Sequence, residues 1–279
     1  MASTGTPLIS VVVPTYNRPE LLAGAVASVL NQTVDDFECI VVDDAGPTPI
    51  DLPAHPSLIV IRHEQNRGVS AARNSGMARA RGKFLTFLDD DDFFTPDRLA
   101  IGLEGVDRAP LTLCWLRYLD PEPRLAPWNR ELEGNIHDVL MEGVAPNVGQ
   151  ALVERTRALP FDESFLGAED IDWWMRMTLA VPVTTVQKVG YLYRRHETPR
   201  NSNTITARLN ERIRLLDEHA DYFAEHHRAL AFQWKRIGLI ALRAGDGAAA
   251  RRAFARSLRL RPAPRTAWHV MRSLTARTR

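Results

Sequence analysis

Short apolar runs alternate with helical patterns along the first third of the chain, and this alternation restricts the fold more than any other feature. The runs are rich in β-branched residues and end at turn residues, as buried strands do. Strands that alternate with helices form a mostly parallel, Rossmann-like sheet with helices on both faces. We therefore predict an α/β domain with strands at 8–13, 37–42, 58–62 and 83–88 and helices at 20–30 and 70–80.

Polar clusters directly follow three of these strands. They are Tyr16-Asn17-Arg18, Asp43-Asp44 and the four aspartates from Asp89 to Asp92. In a sheet of this kind, ligands bind outside the carboxyl ends of the strands. The sequence therefore predicts one binding site, formed by these three loops.

The four consecutive aspartates need positive charge nearby, because neighbouring carboxylates repel one another. A divalent cation would supply it, since Mg²⁺ and Mn²⁺ prefer carboxylate oxygens and keep coordination positions for phosphate oxygens. The alternative is a solvated acidic turn before a helix, with Thr95 or Asp97 as the helix cap. The residue pattern alone leaves both interpretations open.

Cysteine content and hydropathy indicate the compartment. Cys39 and Cys114 lie in apolar stretches, which indicates buried thiols rather than disulfides or a zinc site. The first residues lack a basic segment followed by a long apolar run, so we expect no secretory signal. No apolar run approaches the roughly 18–20 residues of a membrane-spanning helix. These features predict a cytoplasmic protein.

The end of the chain is helical and strongly basic. Apolar residues recur at helical spacing from about Thr206, and residues 234–262 look like one helix-turn-helix unit of the tetratricopeptide type. A stack of such units needs about three of them, so we predict a helical appendage rather than a repeat domain. The predicted domains are the α/β domain, 1–205, and the appendage, 206–279.

Residues 228–279 carry thirteen Lys and Arg and one acidic residue, Asp246, whereas the whole chain has a net charge of +1. The preceding part of the chain is therefore acidic. Basic helices of this kind fit an anionic membrane surface at its inner face, self-association, the acidic part of the chain, or plain solvent. No nucleic-acid partner is expected, because no recognition motif accompanies the charge.

Four stretches of the sequence carry a family resemblance. They are VVVPTYNR (11–18), VVDDAG (41–46), NRGVSAARNSGMARARGKFLTFLDDDD (66–92) and FDESFLGAEDIDWWMRM (161–177). In order and spacing the chain resembles the family 2 glycosyltransferases, which are inverting enzymes with the GT-A fold. The resemblance implies a hexosyltransferase-type enzyme of cell-envelope polysaccharide biosynthesis. Such an enzyme moves a sugar from a UDP- or dTDP-type donor to a hydroxyl of a glycan, lipid-linked or other acceptor.

The resemblance also implies which residues bind the donor. A loop frames the nucleobase and phosphates, two carboxylates accept from the base, and further groups lie near the ribose and diphosphate. These residues are Pro14, Tyr16, Arg18, Asp43, Asp44, Arg73, Asp90 and Arg194. The alternatives are an Asx-type turn for Asp43 and Asp44 and a surface helix position for Arg73.

A metal site of Mn²⁺ or Mg²⁺ is implied in the same way. Asp91 matches the direct ligand, and Asp89 and His196 are further candidates. The metal would neutralise the leaving diphosphate. Arg194 and His196 also belong to a Y-R-x-H-like stretch that suits a lid over the donor; an ordinary surface loop is the alternative.

The general base is implied to be Asp170, which opens an amphipathic helix. It would deprotonate the acceptor hydroxyl in a single displacement. Glu169 and Trp173 are the acceptor-binding candidates. The alternatives are that Glu169 and Asp170 only complement the helix dipole, and that Trp173 or Trp174 packs in the core.

A second class of function fits part of the same pattern. The chain could be a catalytically inactive protein that binds sugar nucleotides and recruits partners through its helices. The intact aspartates and the Glu169-Asp170 pair favour the enzyme. A nucleotidyltransferase is disfavoured, because PTYNRPE (14–20) is not the Gly- and Arg/Lys-rich loop that such enzymes place after the first strand.

Overall fold

The computed structural model describes residues 5–119, 122–127, 129–143, 145–194 and 205–275. The chain divides into two compact units. We call the first the sheet unit; it comprises Met1–Ile136, Pro146–Glu163 and Arg176–Glu197. The second, the helical unit, comprises His137–Ala145, Ser164–Met175 and Thr198–Arg279.

Ten strands form a single sheet in the order β3-β2-β1-β4-β9-β6-β10-β5, with β7 paired to β6 and β8 to β10. The strands are β1 (Ile9–Thr15), β2 (Phe37–Asp43), β3 (Leu58–Arg62), β4 (Phe84–Phe87), β5 (Phe93–Phe94), β6 (Leu111–Tyr118), β7 (Arg124–Leu125), β8 (Glu133–Gly134), β9 (Ala151–Glu154) and β10 (Val183–Tyr193). The four strands predicted from the sequence are β1 to β4. Every residue of β1 and β2 is buried, which explains why most of them are apolar.

The pairing directions divide the sheet. β1 pairs in parallel with both β2 and β4, and β2 with β3, as the strand–helix alternation predicts. β9 then lies antiparallel between β4 and β6. β6 in turn pairs in parallel with β10, so β9 separates two parallel sets of strands in a mixed sheet. The N-terminal set, β1 to β4, places the ends of β2, β1 and β4 side by side.

Three helices accompany the strands of the sheet unit: α1 (Pro19–Leu30), α2 (Val69–Arg79) and α3 (Arg98–Leu103), with single 3₁₀ turns at Val148–Gln150 and Arg155–Arg157. Pro19 opens α1, where its missing N–H costs nothing. α2 lies very close to β1, because a Cβ atom added at Gly76 would come 2.3 Å from Val12 Cγ1. This close packing fixes α2 against the strand that leads into the first polar loop.

A buried carboxylate ties three elements of the sheet unit together. Glu38 in β2 accepts hydrogen bonds from Ser10 Oγ (2.7 Å) and from the backbone N–H of Arg81 (2.6 Å). The Arg81 guanidinium adds an ion pair at 3.0 Å. Burial raises the pKa of Glu38, but these hydrogen bonds and the Arg81 charge outweigh it, so the net pKa lies below 4.5. Glu38 is therefore charged in the folded protein at neutral pH.

We expect Glu38→Gln to lower the free energy of unfolding by about 1–3 kcal/mol, because it weakens charge-assisted bonds to a buried carboxylate. The Arg81 side chain is more than half exposed, so its ion pair contributes little of this. Because the pKa of Glu38 is lower in the folded state, the charged carboxylate stabilises the fold at pH values above 4.5, its unfolded pKa. This stabilisation is lost as the pH falls through the folded pKa. Urea denaturation at several pH values measures this dependence.

The exposed pair of Glu104 and Lys188 provides the control. Glu104→Gln is expected to change the free energy of unfolding by less than about 0.5 kcal/mol. The difference between wild type and Glu38→Gln should shrink as the pH falls below about 4.5. Equal effects of the two substitutions at pH 7 would contradict the role of Glu38.

The helical unit contains α4 (His137–Met141), the start of α5 (Glu169–Ala180), α6 (Ile205–Glu218), α7 (Ala220–Glu225), α8 (His227–Arg243), α9 (Gly247–Leu260) and α10 (Pro264–Thr275). α8 and α9 form the predicted helical hairpin. Gly245 makes its turn at a φ of 78°, and Asp246 caps α9 by accepting from Ala249 N at 2.8 Å. Phe254 of α9 packs directly on Gly238 of α8, where any side chain would collide with its ring.

The helical unit differs from the appendage predicted at 206–279, because it also includes residues 137–145 and 164–175. The apolar pattern changes near Thr206, but those two earlier segments make their contacts with the later helices. The first turn of α5, with Asp170, consequently belongs to the helical unit. None of the helices described is long and apolar enough to cross a membrane.

Candidate active site

The three polar loops predicted from the sequence lie at one edge of the sheet. They follow β1, β2 and β4, which are adjacent and parallel. Two of the loops contain a non-glycine residue with positive φ: Asn17 at 54° and Ala45 at 60°. Such conformations cost free energy outside glycine and are concentrated at functional sites.

The four aspartates form a turn in which Asp92 N donates to Asp89 O at 3.1 Å. Each carboxylate points to a different set of partners. Asp89 accepts from Arg73 (2.8 Å) and Asn147 (3.3 Å), Asp90 from Thr15 (2.7 Å) and Arg18 (3.2 Å), Asp91 from Arg18 (3.1 Å), and Asp92 from Tyr191 Oη (2.7 Å) and Arg194 N (2.8 Å). The sequence does not rank the outer pair, Asp89 and Asp92, but the contacts of these two carboxylates differ.

The central pair, Asp90 and Asp91, shares the guanidinium of Arg18. Burial raises the pKa of Asp90 to about 6; the Thr15 hydrogen bond and Arg18 oppose this, and the neighbouring aspartates add to it. The charged form of Asp90 is thus costly in the absence of further positive charge. A cation bound nearby would favour that charged form.

Asp92 is fully buried and holds the end of β10. Its two carboxylate oxygens accept from the Tyr191 hydroxyl and from the backbone N–H of Arg194. The Arg194 guanidinium lies 4.7 Å from the centre of the Phe93 ring. Arg194 is the last residue described before 205, so the predicted lid position of His196 lies outside the described residues.

Asp43 and Asp44 are both buried, and their carboxylates are bound within the sheet unit. Asp43 accepts from Gly46 N at 2.9 Å and forms an ion pair with Arg62. Asp44 accepts from the backbone N–H groups of Arg67 (2.8 Å) and Gly68 (2.7 Å) and contacts His63 Nδ1 at 2.7 Å. The Asp44 carboxylate therefore shapes the loop at 63–68, and a contact of Asp43 or Asp44 with a nucleobase stays a prediction.

Two of the predicted donor-binding residues have contrasting exposure. Tyr16 is 49% exposed and so presents its ring to solvent at the sheet edge. Arg73 is 5% exposed, lies over the Phe161 ring at 5.0 Å and binds Asp89. Arg73 is consequently not the surface helix residue of the alternative interpretation. Pro14 lies within β1, one residue before the strand ends.

The chemistry of the aspartate turn fits Mg²⁺ or Mn²⁺. These ions take hard carboxylate oxygens, and Mg²⁺ is usually bound by one or two carboxylates together with phosphate oxygens. Over the residues described, no three His, Cys, Asp or Glu side chains form a ready-made metal cluster. Asp91 as the direct ligand stays a prediction; its carboxylate accepts from Arg18 at 3.1 Å, and that of Asp89 from Arg73 and Asn147. A bound ion would complete its coordination with oxygens of the ligand.

The predicted base, Asp170, lies in the first turn of α5 in the helical unit. It is half-buried, and one carboxylate oxygen accepts from Ile171 N at 2.8 Å. Glu169 is more deeply buried. Trp173 and Trp174 are both fully buried and stack edge to face at 5.0 Å. The acceptor contact expected of Trp173 is therefore corrected: its ring has no free face for a sugar and packs in the core.

The sequence model of glycosyl transferase family 2 matches residues 10–151, just over half of the chain. The chain belongs to this family. The matched range contains the three loops at the sheet edge and ends at the first residue of β9, so it covers nearly all of the N-terminal parallel strands, β1 to β4.

Similar proteins of known name and a solved structure are consistent with membership of this family. The chain is 38% identical over 103 residues to the glycosyl transferase WcaA of *Escherichia coli* (strain K12), named for colanic acid biosynthesis; the match covers 35% of this chain and 37% of that protein. It is 41% identical over 105 residues to the glycosyltransferase YwdF of *Bacillus subtilis* (strain 168), covering 36% and 39%. The match thus spans well under two thirds of these relatives.

The structure of residues 1–349 of *S. aureus* TarS in complex with UDP-GlcNAc superposes with a TM-score of 0.65, covering 97% of this chain and 92% of that one. The sequence identity is 15%, so the likeness shows the fold alone. The predicted GT-A fold of this glycosyltransferase is confirmed.

Several residues at the site were not recognised from the sequence. Thr15, His63 and Asn147 bind Asp90, Asp44 and Asp89 respectively. Thr15 and His63 each stand at the end of a predicted strand, and that position could have revealed them. No local pattern around Asn147 indicates its bond to Asp89.

Proposed function

We propose that this family 2 glycosyltransferase is an inverting enzyme that transfers a hexosyl group from a UDP- or dTDP-sugar to an acceptor hydroxyl. The observation that carries the proposal is the arrangement at the sheet edge, where Arg18 bridges the buried carboxylates of Asp90 and Asp91. Guanidinium and carboxylate groups together suit a ligand that combines diphosphate, ribose and a cation. The UDP-GlcNAc bound by TarS supports a donor of this class.

In the proposed reaction, a bond forms between the acceptor oxygen and the anomeric carbon as the bond from that carbon to the diphosphate oxygen breaks. The electron pair leaves with the nucleoside diphosphate, and Asp170 takes the hydroxyl proton. A bound Mn²⁺ or Mg²⁺ would neutralise charge on the diphosphate. Arg18 supplies a permanent positive charge beside Asp90 and Asp91. Attack opposite the leaving group inverts the anomeric configuration.

The proposal extends to the acceptor of the sugar and to the location of the enzyme. We propose a glycan or lipid-linked acceptor of the cell envelope, supported by the naming of WcaA for colanic acid biosynthesis. The basic helices α9 and α10 fit peripheral contact with an anionic membrane at its inner face, in keeping with a cytoplasmic enzyme. Their exposed arginines include Arg252, Arg259 and Arg265.

Binding of UDP against CDP tests the donor class. Uracil carries an imide N–H where cytosine has an acceptor, and the proposed carboxylates, Asp43 and Asp44, accept hydrogen bonds. We expect UDP with Mn²⁺ to bind at least about tenfold more tightly than CDP, because cytosine places an acceptor opposite a carboxylate oxygen and gains no hydrogen bond there. Isothermal titration measures both affinities in one buffer.

Turnover with UDP- and dTDP-sugars and a panel of glycan and lipid-linked acceptors completes the test. Acceptor-dependent release of the nucleoside diphosphate is the expected result. Equal affinities for UDP and CDP would contradict base recognition by Asp43 or Asp44. Tight UDP binding without transfer to any acceptor would instead favour a catalytically inactive protein that binds sugar nucleotides.

A further inference from the structure

The loop after β3 is organised around the carboxylate of Asp44. His63 Nδ1 lies 2.7 Å from Asp44 Oδ1. The same oxygen accepts from Arg67 N at 2.8 Å, and Oδ2 accepts from Gly68 N at 2.7 Å. Because both oxygens of Asp44 are acceptors in these bonds, the His63 ring is the donor in its bond to Oδ1. His63 is the one side chain among these three donors, so its contribution can be removed by substitution while the backbone bonds remain.

His63 is itself held on its other side. Its Nε2 lies 2.8 Å from Ser75 Oγ in α2, and the side chain of His63 is only 7% exposed. With a proton on Nδ1, Nε2 of the neutral ring accepts from the Ser75 hydroxyl. Ser75 directly precedes Gly76, the residue at which α2 packs closely on Val12 of β1. The imidazole is therefore fixed in one orientation, between a buried carboxylate and a helix that is packed on the sheet.

These bonds decide what the Asp44 carboxylate can offer to a ligand. Each carboxylate oxygen can accept along two lone-pair directions. Those of Oδ1 are taken by His63 and Arg67, whereas Oδ2 accepts only from Gly68 within the described part of the chain. One acceptor position, on Oδ2, is left for a donor group of a ligand. Without the His63 bond, Oδ1 would also have an open position, and the carboxylate would turn more freely about its Cβ–Cγ bond.

We propose that His63, held by Ser75, is the positioning residue that makes Asp44 selective for a nucleobase with an imide N–H. The proposal rests on the proposed transferase function, in which Asp44 is a carboxylate that contacts the base, and it names the residues on which base selectivity depends. An imide N–H donates one hydrogen bond, which matches the single open position on Oδ2. Cytosine presents a ring-nitrogen acceptor instead, and a carboxylate that is held in place cannot turn away from it.

The test compares the binding of UDP and CDP, each with Mn²⁺, by isothermal titration. His63→Leu removes the donor to Asp44 Oδ1. We expect this variant to lower the ratio of the CDP and UDP dissociation constants by about tenfold, the effect of one hydrogen bond to a charged group. His63→Asn keeps an N–H donor near the position of Nδ1 and should restore most of the ratio. Ser75→Ala frees the ring to rotate and should also lower it.

Two controls distinguish base selectivity from a general loss of structure. Pyrophosphate with Mn²⁺ lacks a base and should bind His63→Leu as tightly as wild type. Exposed His55 supplies the matched substitution, because its Nδ1 only accepts from Ser57 N in the same loop. His55→Leu should leave the ratio of the two dissociation constants unchanged.

The possible results separate this role from the proposed function. An unchanged ratio in His63→Leu, folded by circular dichroism, overturns the role of His63 while the proposed donor class stands. Equal weakening of UDP, CDP and pyrophosphate would make His63 a structural residue only and also overturns it. If His63→Leu does not fold, the ratio in Ser75→Ala decides in the same way. A wild type that binds UDP and CDP equally contradicts the proposed base recognition itself, and the role of His63 falls with it.

Discussion

Asp170→Asn is expected to lower kcat by about 10²- to 10⁴-fold and to leave the affinity for UDP unchanged, because a general base contributes a factor of that size. The amide keeps the shape of the side chain, and its oxygen can still accept from Ile171 N, as Asp170 does. Helix α5 should therefore begin as it does in the wild type. Steady-state turnover gives kcat, and titration with UDP and Mn²⁺ gives the affinity.

The control for this variant is Asp221→Asn, an exposed acid in the first turn of α7 in the same unit. It carries the same loss of charge at an equivalent helix position and should leave kcat unchanged. Near-native turnover in folded Asp170→Asn would remove Asp170 from the role of base. A fall in UDP affinity together with kcat would show that the substitution acts on the donor instead.

Asp91→Asn is expected to reduce kcat/KM by about 10²- to 10³-fold and to abolish the Mn²⁺ dependence of UDP binding. The first figure is the size of effect seen when one electrostatic group that stabilises developing charge is removed. The asparagine oxygen can still accept from Arg18, so the change falls mainly on the charge. The affinity for UDP is measured with EDTA and again with added Mn²⁺, and the difference gives the contribution of the metal to UDP binding.

Asp92→Asn is the matched control, since it removes the same charge from the adjacent position. The contacts of Asp92 go to Tyr191 and the backbone N–H of Arg194, not to Arg18. We expect this variant to lose thermal stability but to keep the Mn²⁺ dependence of UDP binding. Equal loss of that dependence in both variants would contradict the assignment of Asp91 as the ligand.

Much of the sheet unit could be predicted, because the sequence patterns that specify its first strands and helices are local. The strands β1 to β4 follow from β-branched runs, and the alternation of strands and helices predicts their parallel direction. The position of the three polar loops at one edge then follows from that direction. The antiparallel insertion of β9 could not be predicted, because it depends on pairing with β4 and β6 at long sequence separation.

Long sequence separation also limits how much of the site could be predicted from the sequence. The hydrogen bond between Asp92 and Tyr191 joins residues 99 positions apart, and no sequence pattern near either residue predicts it. Trp173 looked like a residue that could stack on a sugar, because an indole suits both a core and a binding surface.

The membership of residues 164–175 in the helical unit has a consequence for how members of this family can diverge. The matched family region, 10–151, ends before that segment, whereas the proposed base lies in the same compact unit as the C-terminal helices. We therefore propose that acceptor preference is inherited as a module while nucleotide preference stays constant. A chimera that exchanges acceptor preference between two relatives would need to carry residues 137–145 and 164–175 together with the C-terminal helices. A crossover placed at 205 would separate Asp170 from the helices that hold it.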